Sequence, residues 1–166
     1  MRLIVGLLVP LLLVGCVSRP DAAPATMSTG APPWTAPRDA ISHIRAAGLP
    51  ELGLDSDSDP FILKIRVSVD GQDVPLPAFI GIDRLRAIQA PVHTHESSGD
   101  VWLEGDGNRE VDLGQFFTLW GVRFDDGCLG GACEDLSVIA DGETVEDPAS
   151  LVLRGHDVIE VSARTA

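Results

Sequence analysis

Residues 91–121 read P-V-H-T-H-E-S-S-G-D-V-W-L-E-G-D-G-N-R-E-V-D-L-G-Q-F-F-T-L-W-G, and this run decides the fold. Val92, Thr94 and Glu96 alternate with His93 and His95. Side chains on a strand point to opposite faces in turn, so the two imidazoles fall on one face. Ser97-Ser98-Gly99-Asp100 has turn chemistry, and Val101-Trp102-Leu103-Glu104 returns as a second strand. A β-hairpin over 92–104 follows. Asp112 is a good helix N-cap, and Gly121 stands where a left-handed residue closes a helix. Between them Leu113, Phe116, Phe117 and Trp120 recur at helical spacing, one apolar stripe on a short core helix.

Outward from this run, Phe61–Val69 is the clearest strand. Phe61, Leu63, Ile65, Val67 and Val69 face one way, and Lys64, Arg66 and Ser68 the other. Asp70-Gly71 turns the chain, and residues 74–82 read as a return strand that its prolines confine to an edge. The last third reads as short strands over 136–140, 144–145, 151–153 and 158–161, with a turn at Asp141-Gly142. Residues 39–48 form a helix candidate capped by Asp39 and stopped by Gly48 and Pro50, with His43 on its surface. Asp55, Asp57 and Asp59 resemble the start of a calcium loop. Pro60 stands where the loop glycine belongs and Arg66 where the twelfth-position glutamate belongs, so an acidic loop is expected there. This succession argues an α+β fold of mainly antiparallel hairpins, a small β-grasp-like or barrel-like sheet with one or two short helices.

The amino terminus reads as an address. Met1-Arg2 precedes an apolar run over residues 3–14. That run is too short to span a hydrocarbon core, which takes about 20 residues, and it has the form of a secretory signal segment. Leu13-Val14-Gly15-Cys16 resembles the lipobox of bacterial lipoproteins. The resemblance implies removal of residues 1–15, lipidation of Cys16, and a protein held to the cell membrane on its extracytoplasmic side. Two acyl chains anchor stably where one does not. Residues 16–37 hold five prolines among Ala, Ser and Thr, a composition that suits a tether with a reach of about 25 Å. Trp34 within it can dock on the domain or on the membrane. Residues 38–166 remain for a single domain, about 130 residues and enough for a real core.

The chain carries 12 basic and 25 acidic residues, a formal charge of −13. Nucleic acid and anionic membrane surfaces are therefore poor partners for the domain itself. With Cys16 lipidated, Cys128 and Cys133 are left, and in an oxidising compartment a pair this close suits a disulfide. A soft-metal or redox dithiol is the rival reading, without the C-x-x-C spacing that favours it.

The pieces V-D-G-Q-D-V-P-L-P-A-F-I-G-I, H-T-H-E-S-S-G, W-L-E and L-G-Q-F-F-T-L-W-G, in this order, resemble a group of uncharacterised extracytoplasmic domains of bacteria and archaea. The resemblance covers about residues 61–125 and implies no particular activity. Members of that group often carry further histidines in the first strand and at the position of Trp102, and this chain has none in Phe61–Val69.

Two functions remain open on the residues. One is a copper- or zinc-binding site with His93 and His95 as ligands, completed by Glu96, Glu104 or His156. The other leaves both histidines bonded to the adjacent turn and helix cap, in a non-catalytic envelope module that presents a surface to a protein partner. No enzyme is expected: His95-Glu96-Ser97-Ser98-Gly99 lacks the second histidine of a zincin, and no G-x-S-x-G, P-loop or dinucleotide fingerprint occurs in the chain.

Overall fold

The structure is a computed structural model that describes residues 24–55, 59–125 and 127–166. The signal segment 1–15, the lipobox Cys16, the first tether residues and Asp57 lie outside the described residues. In chain order the elements are α1 (Ala40–Ala46), β1 (Leu52–Gly53), β2 (Phe61–Val69), β3 (Gln72–Val74), β4 (Ile82–Asp83), β5 (Ile88–Gln89), β6 (Val92–His93) and β7 (Asp100–Leu103). They are followed by α2 (Leu113–Trp120), β8 (Phe124–Asp125), β9 (Cys128–Leu129), β10 (Glu134–Ala140), β11 (Glu143–Thr144) and β12 (Val158–Arg164).

The fold is α+β, with two short helices and mostly antiparallel strands. A seven-stranded sheet runs β11-β10-β12-β2-β7-β6, with β3 also paired to β2. Its one parallel pair is central: β12 lies beside β2, Val161 opposite Val67. The sequence β3-β2-β12-β10-β11, first and last strands parallel in the middle, is the β-grasp order. The β6–β7 hairpin extends it along the amino-terminal half of β2, with Ile62 opposite Trp102. β11 and β6 end the sheet without pairing to each other, so it is open rather than a barrel.

Periodicity explains β2. Leu63, Ile65, Val67 and Val69 are buried and their neighbours are half-buried or exposed. The buried face meets α2, whose Leu113, Phe116, Phe117 and Trp120 belong to the same core. Full burial of such side chains contributes about 1.5–3 kcal/mol each. α2 is closed at both ends by local chemistry. Asp112 accepts from the Gln115 backbone N–H at 2.7 Å, and Gln115 Oε1 accepts from the Asp112 N–H at 3.1 Å, a capping box. The Gln115 amide also donates to the Ala47 carbonyl at 2.9 Å, which ties α2 to the end of α1. Gly121 takes a φ of 69° and ends the helix.

Three features differ from the sequence reading. Residues 74–82 do not form one strand: β3 ends at Val74 and β4 begins at Ile82, because Pro75 and Pro77 have no N–H for a ladder. Residues 151–153 form a lone bridge, Val152 opposite Asp112, in place of a strand. His43 is buried rather than on the surface. Its Nδ1 lies 2.8 Å from the Thr118 carbonyl and its ring packs against Gly121, where a Cβ would come within 3.0 Å of it.

The described part of the tether also packs. Ser28 bridges Val122, donating to the Gly121 carbonyl at 2.7 Å. Trp34 is only 6% exposed, meets the Trp120 ring edge-on at 5.7 Å, and donates to the Gly30 carbonyl at 3.0 Å. Trp34 therefore docks on the domain, and the folded unit takes in residues from Ser28 onward rather than from 38. A disulfide joins Cys128 to Cys133. Between them Gly130, at φ 58°, receives Trp34: a Cβ there would run into the indole. The disulfide loop is thus the seat of the amino-terminal strap. Among the described residues no helix is long and apolar enough to cross a membrane.

Candidate metal centre

The β6–β7 hairpin places His93 opposite Trp102 and Val92 opposite Leu103. Just past the strand, Thr94 turns inward and His95 outward. The Thr94 hydroxyl donates to the Pro77 carbonyl at 2.8 Å and accepts from the Ile80 N–H at 3.0 Å. The Thr94 carbonyl accepts from the Phe79 N–H at 2.8 Å. Thr94 thus clamps the 77–80 loop while its two neighbours are presented together. Gly81, at φ 72°, lets that loop pass the hairpin: a Cβ there would lie 2.8 Å from the Val92 carbonyl oxygen.

His93 Nε2 and His95 Nε2 lie 3.2 Å apart, their rings nearly perpendicular with centroids at 4.8 Å. Glu104 Oε1 is 3.6 Å from His93 Nε2. One donor atom from each of His93, His95 and Glu104 falls within 4.8 Å of the others. His93 is fully buried, Glu104 half-buried and His95 exposed, so the group opens to solvent on one side. The Trp102 ring meets His95 edge-on at 5.0 Å.

Two neighbours orient these donors. His93 Nδ1 lies 2.9 Å from the Ala90 carbonyl, an acceptor only, so that nitrogen carries the proton and Nε2 keeps its lone pair. Without a cation, His95 fills that lone pair by donating its own Nε2–H. Glu104 Oε1 accepts from the Gln89 amide at 2.8 Å. Burial holds the His93 imidazole below the usual histidine range. The charge of His95 adds to that shift, while the Ala90 hydrogen bond and Glu104 oppose it. His93 is therefore a neutral imidazole at neutral pH, the form that ligates metal.

Of the other sequence candidates, Glu96 is exposed and outside this group. His156 is on the other side of the sheet order, paired with Asp141 at 2.9 Å in the turn that follows β10. Cys128 and Cys133 are bonded to each other. Sequence reasoning missed Ala90, Gln89 and Thr94. The first acts through a backbone carbonyl, which no residue type announces, and Gln89 reaches Glu104 only through the β4–β5 fold. Comparison with protein-family models, curated proteins and solved structures finds no match to this chain.

Proposed function

We propose that this chain is a lipid-anchored extracytoplasmic module that binds a divalent transition ion, copper or zinc, through His93, His95 and Glu104. The observation that carries the metal reading is the geometry of the two imidazoles. An ion about 2.05 Å from both Nε2 atoms would subtend an angle of about 100° across a 3.2 Å separation, between square-planar and tetrahedral values. The Ala90 carbonyl on His93 Nδ1 and the Gln89 amide on Glu104 are the outer partners that metal-ligating histidine and carboxylate ordinarily have. Three protein donors with one open side leave room for water or an exchanging ligand. The anchor rests on the lipobox at Cys16, and the acidic charge argues against nucleic acid as partner.

Calorimetric titration of the chain from residue 24 with Zn(II) and with Cu(II) tests the metal reading. A one-to-one isotherm that the His93→Ala, His95→Ala double variant loses is expected. A flat trace for both ions with the parent overturns the metal reading and leaves a non-catalytic envelope module, to be pursued through its protein partners.

A further inference from the structure

We infer that the loop between β4 and β5 docks on an anionic lipid bilayer, with Leu85 entering the interface and Arg38, Arg84 and Arg86 meeting phosphate headgroups. The inference rests on the lipid-anchor reading for why a bilayer is at hand.

Leu85 is 98% exposed, whereas the next most exposed large apolar side chain among the described residues, Leu54, is at 45%. It stands at the tip of a loop that is already ordered. Buried Asp83 accepts from the Arg86 N–H at 3.0 Å and from the Arg86 guanidinium at 2.6 Å, so the carboxylate pins the turn from beneath. Leu85 is thus presented at no further cost in loop entropy, flanked by an arginine on each side.

The charge around it runs against the rest of the molecule. In a chain of formal charge −13, six of the described lysine and arginine side chains pair with a carboxylate, and Arg38 and Arg84 are not among them. Arg84 lies over the Phe79 ring at 4.2 Å instead. Both arginines line a cleft of about 620 Å³ whose walls include Pro37, Phe79 and Leu85. The carboxylates at hand are Asp83, already paired to Arg86, and Asp39, which caps α1 through Ser42. Three cations against two anions make this patch net positive. At physiological salt the Debye length is about 8 Å, so the acidic surfaces further from the bilayer are largely screened.

The patch also sits near where the anchor emerges. Ser28 bonds to the Gly121 carbonyl, and Pro37, which lines the cleft, comes within 3.0 Å of where a Gly121 Cβ would stand. Ser28 lies twelve positions after Cys16, a span of at most about 40 Å when fully extended. A domain held on so short a leash meets the bilayer continually, and this face meets it with apolar and cationic groups.

The test uses the full chain, purified in mild detergent and returned to vesicles of phosphatidylglycerol and phosphatidylethanolamine, or of phosphatidylcholine alone. A Leu85→Trp variant carries the probe, quenched by brominated acyl chains, and Val152→Trp, exposed near the start of α2, is the control. Expected in phosphatidylglycerol vesicles is quenching several-fold above the control, falling to the control level on adding Arg38→Glu and Arg84→Glu. Each arginine lost near an anionic surface lowers partition about fivefold. Quenching no greater than the control, or indifferent to lipid charge and to the arginine reversals, overturns the inference. So does crosslinking of this loop to a protein in place of lipid. The mass of the amino-terminal peptide decides separately whether Cys16 carries acyl chains. Where it does not, the same quenching is read on chain added to preformed vesicles, so the anchor and the contact fail independently.

Discussion

Replacing Thr94 by valine removes one oxygen from the middle of the H-T-H run. Valine matches threonine in shape, so no cavity opens and the cost falls on hydrogen bonds. The hydroxyl holds the buried Ile80 N–H at 3.0 Å and donates to the Pro77 carbonyl at 2.8 Å. Leaving a buried donor unsatisfied costs about 1–3 kcal/mol, and the second, half-buried bond adds about 0.5–1.5. The expected loss is therefore about 2–4 kcal/mol, a large share of the 5–15 kcal/mol typical of a domain. With a urea slope of about 2 kcal/mol/M, the midpoint falls by about 1–2 M while the slope itself is unchanged. Thr94→Ser is the companion. It keeps both hydrogen bonds and gives up one methyl, about 1 kcal/mol, so stability ranks threonine above serine above valine. A valine midpoint within about 0.25 M of the parent, or a serine variant weaker than the valine one, would refute the hydroxyl's role. The packing of the methyl would then be what fixes the hairpin against the 77–80 loop.

Other perturbations read other joints. Trp34→Ala should cost about 3–5 kcal/mol, the usual range for a buried Trp, and open residues 28–38 to protease; digestion confined to the residues before 28 would contradict the docked strap. Gly81→Ala forces a side chain into φ 72° and against the Val92 carbonyl. A loss of about 2–4 kcal/mol in chemical denaturation is expected, and near-neutral behaviour would show that the loop shifts freely. The Asp141 carboxyl is held below the usual range by the Val158 N–H first, then by His156. Its folded pKa is lower than its unfolded one, so it stabilises above pH about 4 and that stability is lost as pH falls through the folded value. Asp141→Asn should thus melt below the parent at pH 7, with the gap closing towards pH 2.5; a gap that stays constant with pH would contradict this linkage.

Much of the fold was legible because its signals are local. β2 carries its alternation in nine consecutive residues, and α2 has both caps and its stripe within ten. The docking of the strap was not legible. A run of Pro, Ala, Ser and Thr has the composition of a linker, and what holds it is the Ser28–Val122 bridge and one indole seated on Trp120 and Gly130, partners nearly a hundred residues away. His43 failed for the same reason: its partner is the Thr118 carbonyl on the other helix. The site was half legible. The i and i+2 spacing of the histidines and the hairpin register together bring Glu104 to them. His156 offered the right chemistry at the wrong end of the sheet, since strand order, on which its place depends, is a property of long-range pairing.

The central claim is that His93, His95 and Glu104 hold one ion between them. X-ray absorption at the zinc edge, on the zinc-loaded chain beside its Glu104→Gln variant, tests that most directly. The account predicts two imidazole nitrogens at about 2.0–2.1 Å with carboxylate oxygen completing the shell, and a weakened oxygen contribution in the variant. A shell without histidine, or one identical in a His93→Ala, His95→Ala protein, would contradict it.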